Sequence, residues 1–330
     1  MGVDLIFMFR VLVFPGFAFL LAFALFCDWF ERKVAARMQN RMGPTYTGPM
    51  GILQPLADYI KLLMKEDITP RQTSRFLFTL TPVLAFSLFV FILFYIPIDG
   101  ANVVPASGFE GDLILVLVLV TVAEFALFLS GWSSANPYSG IGSTRILTQF
   151  LGYDVPFMIL ALGPAFLAKS LCISTIIAKQ NVPFILLIPW VFIFFIITLQ
   201  AELEKDPFDT PHAETEIVAG YGTEFSGRKL AFIRFSKDIQ TVFSAALLAS
   251  LFLGWPGESI LFGPSSVLCT VWFVVKVLLV IFVLEFIGCM CARLRIDQVV
   301  WANWRIMIPI AISSLILTVV CAPLFESLIG

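Results

Sequence analysis

The sequence predicts an all-α polytopic membrane protein with about eight transmembrane helices and one amphipathic surface helix. Three observations lead there. Of 330 residues, 59% are hydrophobic and only 13% charged, and a mean hydropathy of +0.95 is too apolar for a chain of this length dissolved in water. The apolar residues gather into runs long enough to cross a bilayer core. The basic residues alternate between connections: seventeen of the 21 Lys and Arg fall in the odd-numbered loops. That asymmetry puts those loops in the cytoplasm and both termini on the outer side of the membrane.

The expected spans lie at about 5–27, 76–96, 112–131, 146–168, 183–201, 240–256, 264–290 and 306–325, within a single membrane domain 1–330. The cytoplasmic loops are then 28–75, 132–145, 202–239 and 291–305. Asp4 interrupts the start and no A-x-A site follows, so no cleaved signal is expected. In the first loop, MGILQPLADYIKLLMKE at 50–66 spaces its apolar residues as one face of a helix lying at the membrane surface. Gly152 and Pro156 inside the fourth span predict a kink. No repeat, direct or inverted, is evident, which weighs against a self-contained secondary transporter.

Composition excludes several classes. The basic residues are few and confined to loops, giving no nucleic-acid surface. The six cysteines lie in or beside apolar runs with no CxxC, as small membrane hydrophobes do, so no metal is expected on this chain. No nucleophile–base pair or phosphate loop is present, and Gly140 and Gly142 alone are weak signals. The chain by itself is expected to be non-catalytic.

Charges inside apolar spans are the informative exceptions. Glu124, Asp154, Lys276 and Glu285 fall within the third, fourth and seventh spans, where a charge costs about 2.5–3.5 kcal/mol on insertion scales. They must face the bundle interior, either as static clamps or as a proton pathway. With Lys276 the one lysine inside a span, several acids remain unmatched, which favours the pathway. The segment AELEKDPFDTPHAETEIVAGYGTEFSG at 201–227 adds Glu202, Glu204, Asp206, Asp209, Glu214, Glu216 and Glu224 against one lysine, interleaved with Pro, Phe, Ile and Tyr. That interleaving predicts a folded loop tucked into the protein. His212, the sole histidine, cannot make a metal site without converging partners and is expected to take a hydrogen-bonded structural role.

Four blocks resemble a known family: ERKVAARMQNRMGPTYTGPMGILQPLADYIKLLMKED at 31–67, GWSSANPYSGIGSTR at 131–145, the acidic loop, and RLRIDQVVWANWRIMIP at 293–309. Together and in this order they are similar to the H-subunit family of respiratory complex I. That family includes the equivalent membrane subunit of energy-converting NiFe hydrogenases. The resemblance implies a membrane component anchoring a peripheral redox arm, with partners comprising hydrogenase-like and iron–sulfur subunits, antiporter-like and small membrane subunits, and the lipid bilayer. Iron–sulfur clusters, and a NiFe centre in the hydrogenase branch, would reside in those partners and none in this chain. By the same resemblance Glu124, Asp154, Glu202, Glu214 and Glu216 lie on an acidic path toward pumping subunits. Glu204, Lys276 and Glu285 join them as buried charges. Arg32, Lys33, Arg37, Asp209 and Glu224 match the surface beside the redox arm, with His212 in its cavity.

Departures from the quinone-reducing branch select among subfamilies. Glu202-Leu203-Glu204 stands where that branch usually has ETN, His212 where it has an acid, and FIRFSKDIQ where it has a segment like FFLAEY. Asp154 stands where glutamate is common. The expectation is therefore a coupling subunit of a ferredoxin-linked, proton- or sodium-translocating membrane-bound hydrogenase-type complex. The alternative is the quinone-site H subunit of a complex I-type oxidoreductase, with an apolar tunnel between the first span and the surface helix, or a related sulfur-reducing complex.

Overall fold

A computed structural model describes residues 5–14, 16–98, 108–212, 214–254 and 266–325, and among them every regular element is helical. The helices are α1 (Leu5–Leu12), α2 (Phe17–Met38), α3 (Gln54–Met64), α4 (Arg75–Leu93), α5 (Asp112–Trp132), α6 (Pro137–Ala168), α7 (Ile173–Ala178), α8 (Phe184–Leu187), α9 (Pro189–Glu202), α10 (Glu214–Ile217), α11 (Gly227–Phe252), α12 (Ser266–Met290), α13 (Ile296–Ala302) and α14 (Ile308–Phe325). A π-helical turn, Asn303–Met307, joins the last two. Six of these stretches are long and apolar enough to cross a membrane: Phe9–Met38, Arg75–Leu93, Asp112–Trp132, Pro137–Ala168, Cys269–Met290 and Ile296–Phe325. They make the chain an integral membrane protein.

Three of the differences from the expected spans each have a local reason. The connection 132–145 shrinks because Asn136 caps α6, its side chain accepting from the Tyr138 amide at 2.9 Å with Pro137 at the first helical position. From there α6 runs as one helix through Pro156 and Pro164. The fifth span is broken at Ile188, whose non-helical backbone (φ −129, ψ 58) separates α8 from α9, and α9 restarts on Pro189, whose fixed φ suits a first turn.

The third difference positions the site. The region expected as loop up to 239 is already helical from Gly227, so α11 carries Arg228, Lys229, Arg234 and Lys237 along its first half. These cations are tolerated because some find partners: Lys229 lies 3.4 Å from Asp67 and 4.8 Å above the Phe78 ring. Beyond them, every residue from Ile239 to Phe252 is buried, as in a helix enclosed on all sides. Packing against α4, α12, α3 and α2, α11 is the central pillar. Outward faces of the peripheral helices stay apolar, as with Ile114, Val118, Val122 and Phe125 on α5 and Val271, Val275, Leu279 and Phe282 on α12, the pattern a lipid solvent permits.

The acidic loop is held against α5 and α6 by close backbone approach. A Cβ on Gly142 would stand 2.7 Å from the Tyr221 amide and 2.8 Å from the Gly220 carbonyl carbon. Gly220 itself has φ +58, and a Cβ there would meet the Pro211 carbonyl at 2.1 Å. Ser139 completes the seam, its hydroxyl donating to the Gly131 and Tyr221 carbonyls at 3.1 and 3.0 Å.

Candidate functional site: a buried carboxylate network beside a polar cavity

Polar residues at 237, 240 and 244 share one face of α11, spaced i, i+3 and i+7. They meet Glu124 from the middle of α5, Glu202 from the end of α9, and Glu204 from the following turn. Lys237 Nζ lies 3.3 Å from both Glu124 Oε1 and Glu204 Oε1. Gln240 Nε2 reaches Glu124 Oε1 at 2.5 Å, and Glu202 Oε1 and the Glu202 carbonyl at 3.1 Å each. Ser244 donates to Glu202 Oε2 at 2.8 Å.

An amide has two N–H hydrogens, so Gln240 faces one more acceptor than it can serve at once. Its own Oε1, Glu124 Oε2 and the Tyr221 hydroxyl are buried without a hydrogen-bond partner among the described residues. Buried orphan acceptors are costly, and a proton on Glu124 Oε2 would remove the charge from one of them. The network thus has room for protons that a closed set of ion pairs lacks.

The expected surplus of acids over cations is smaller than composition indicates. Lys237, expected in a loop, is a cation of the cluster. Lys276, the lysine expected inside a span, is elsewhere: its Nζ sits 5.9 Å from the Trp272 ring centroid and lines a separate small cavity with Ser174, Ser250 and Gly254. Glu285 belongs to a second assembly, where Lys205 Nζ bridges Glu31 and Glu285 at 2.8 Å each. Burial alone would depress Lys205, but these two carboxylates hold it above the ordinary lysine range.

The remaining expected residues divide in the same way. Asp154 is half-buried on α6. Glu216 is 57% exposed and pairs with Arg145 at 2.6 Å, away from the core network; that contact holds its carboxyl below the usual range. The side chain of Glu214 lies outside the described residues. Arg32 bridges Asp28 and Asp58 at 2.8 and 2.7 Å, Lys33 is half-buried, and Arg37 is exposed on the last turn of α2. Glu224 accepts from Asn136 Nδ2.

Asp209 receives the Arg293 guanidinium on its carbonyl. Burial pushes its carboxyl up to about 6, against the pull of His212 and Arg293. A carboxyl raised in the folded state holds its proton more tightly there than in the unfolded chain. Its contribution to stability is therefore complete below the ordinary carboxylate value and is lost as pH rises through about 6. Asp209→Asn is expected to flatten the pH dependence of the unfolding midpoint between about pH 4 and this value. An unchanged slope would assign the loss to another group.

Between α2, α3, the 219–225 turn and α11 opens a cavity of about 580 Å³. Leu62, Phe225, Leu230 and Ile233 supply apolar wall, and Arg32, Asp58, Arg234, Lys237 and Asp238 supply charge. It lies where the quinone-branch alternative expects an apolar tunnel, but its lining is mixed. Tyr59 on its wall donates to Asp238 Oδ2, a contact between distant segments that no local pattern foreshadows. The α11 residues are more accessible to sequence reading: a polar i, i+3, i+7 stripe entering an apolar run is a legible signal.

Residues 11–319 match the NADH dehydrogenase family. The chain is 35% identical over 304 residues to the H subunit of NADH-quinone oxidoreductase from Dehalococcoides mccartyi strain 195, covering 92% of this chain and 83% of that one. It is 36% identical over 322 residues to the equivalent H subunit from Bacillus thuringiensis strain Al Hakam, covering 95% of each. With the match running through α2, the acidic loop, α11 and the α13 segment alike, this chain belongs to the H-subunit family of complex I.

Proposed function

We propose that this chain is a membrane anchor and coupling subunit of a complex I-type oxidoreductase, with the odd-numbered loops facing the cytoplasm and the redox chemistry housed in partner subunits. The observation that carries the coupling role is the linked Glu204–Lys237–Glu124–Gln240–Glu202 network beside the cavity. A redox event that changes charge at the cavity would redistribute protons among these carboxylates. Asp154 on α6 extends the buried charge away from the loop, toward neighbouring ion-translocating subunits.

The names of the relatives favour a quinone as electron acceptor and NADH as donor. One observation favours the hydrogenase-type reading instead. The positions that depart from the quinone branch, Glu204, His212 and the FIRFSKDIQ segment, interlock: Glu204 Oε2 is 3.1 Å from His212 Nε2, and Glu204 Oε1 is 3.3 Å from Lys237 Nζ. Nickel and iron content of the intact complex separates the two. Iron without nickel, with quinone reduction, supports the quinone-type assignment; nickel with iron supports the hydrogenase type.

The coupling role is tested by Glu202→Gln in the intact complex reconstituted in vesicles. Electron transfer is expected to persist while ion translocation falls by about tenfold or more. Unchanged translocation would remove Glu202 from the path.

A further inference from the structure

His212 occupies a position that the carboxylate network alone does not explain. It lies in the acidic loop with its side chain 39% exposed, whereas the carboxylate it touches, Glu204, is 3% exposed. Its ring lines the 580 Å³ cavity and packs on Tyr221 with centroids 5.0 Å apart. Nε2 is 3.1 Å from Glu204 Oε2. From there the polar atoms continue inward: Glu204 Oε1 to Lys237 Nζ at 3.3 Å, and Lys237 Nζ to Glu124 Oε1 at 3.3 Å. One side chain therefore faces the cavity while contacting the outermost buried carboxylate.

We infer that His212 is the port through which protons pass between the cavity and the buried Glu204–Lys237–Glu124 chain, an inference that rests on the coupling role proposed above. An imidazole can lose a proton at one ring nitrogen and regain one at the other, which suits it to this step. Solvent in the cavity first protonates Nδ1, and the Nε2–H bond of the resulting imidazolium then breaks as an O–H bond forms on Glu204 Oε2, leaving a neutral ring protonated at Nδ1 that resets by turning over. Protonated Glu204 no longer competes for the Lys237 ammonium, whose remaining carboxylate is Glu124. Burial acts to raise Glu204, but Lys237 and His212 outweigh it and hold the group below the ordinary carboxylate range. Onward transfer breaks one Lys237 N–H bond as an O–H bond forms on Glu124 Oε1, and Lys237 takes up the Glu204 proton in its place.

The groups facing His212 and its cavity are compatible with this traffic. Glu204 and Asp209 stand on its own loop, Tyr221 beneath its ring, and Lys237, Arg234 and Asp238 come from α11. Arg32 of α2 and Asp58 and Tyr59 of α3 close the far wall. Among the described lining residues His212 is the one imidazole, so no neighbour duplicates its chemistry.

The test is a pH jump on the intact complex, following the infrared carboxyl band that disappears in Glu124→Gln. In His212→Gln, which keeps a hydrogen-bonding side chain but carries no exchangeable ring proton, the band is expected to respond about tenfold or more slowly than in the unaltered complex. Added imidazole is expected to restore the rate in His212→Ala. An unaltered rate in His212→Gln overturns the port while leaving the network's role standing. Absence of any Glu124 response in the unaltered complex overturns both. Should His212→Ala fail to assemble, the glutamine variant alone decides.

Discussion

Replacing Lys237 by methionine is expected to prevent stable assembly of the protein into its complex. Glu124 and Glu204, 0% and 3% exposed at the side chain, would then lie buried around an apolar group. Removing one partner of a buried pair costs about 3–5 kcal/mol, because the abandoned charge cannot return to water. The same reasoning predicts a rescue: Lys237→Met combined with Glu124→Gln and Glu204→Gln removes the charges together and should recover most of the stability. Yield of intact complex and its unfolding midpoint in detergent provide the measurement. A single variant as stable as the unaltered protein would show that the ammonium does not hold the carboxylates in place. The triple variant would also separate folding from function, since it should assemble yet transfer no protons through the network.

Gly142→Ala is expected to uncouple the protein without unfolding it. The added methyl would meet the Tyr221 amide and the Gly220 carbonyl carbon at 2.7 and 2.8 Å, backbone atoms that cannot rotate aside. Overpacking of this kind typically costs about 1–3 kcal/mol, and the loop is the element free to give way. Its displacement would move Tyr221, and with it the ring beneath His212. Helical content should survive while ion translocation falls with the geometry at Glu204. Gly140→Ala is the control, because nothing lies within 4 Å of a Cβ there. Equal losses in both variants would trace the effect to helix propensity and not to the seam.

That contrast illustrates what the sequence could and could not reveal. Gly140 and Gly142 look alike in GWSSANPYSGIGSTR, and only the fold distinguishes the open position from the tight one. Periodicity exposes the apolar spans and the stripe of α3, because bilayer burial imposes patterns on neighbouring residues. The acidic loop stands out because apolar residues are interleaved with its charges. Lys237 escapes such a reading because four basic residues in 228–237 look like a water-exposed connection, whereas the structure offsets at least two of them with carboxylates from other segments. The Lys205 bridge to Glu31 and Glu285 joins residues from α2, the acidic loop and α12, and no local pattern encodes such a meeting. Departures from the quinone branch are visible one by one, but their mutual contact is not.

The Lys205 bridge also constrains how the protein is made. Chains emerge N-terminus first, and early segments settle before late ones exist. Glu31 enters with the first long helix and stays uncompensated until the acidic loop has been synthesised. Glu285 arrives later still, on α12, when Glu31 and Lys205 are both already available. The order of synthesis thus lets the bridge close in two stages, a pair and then a triad completed by α12. In biogenesis its second carboxylate acts as a final fastener, joining the last third of the nascent chain to the first.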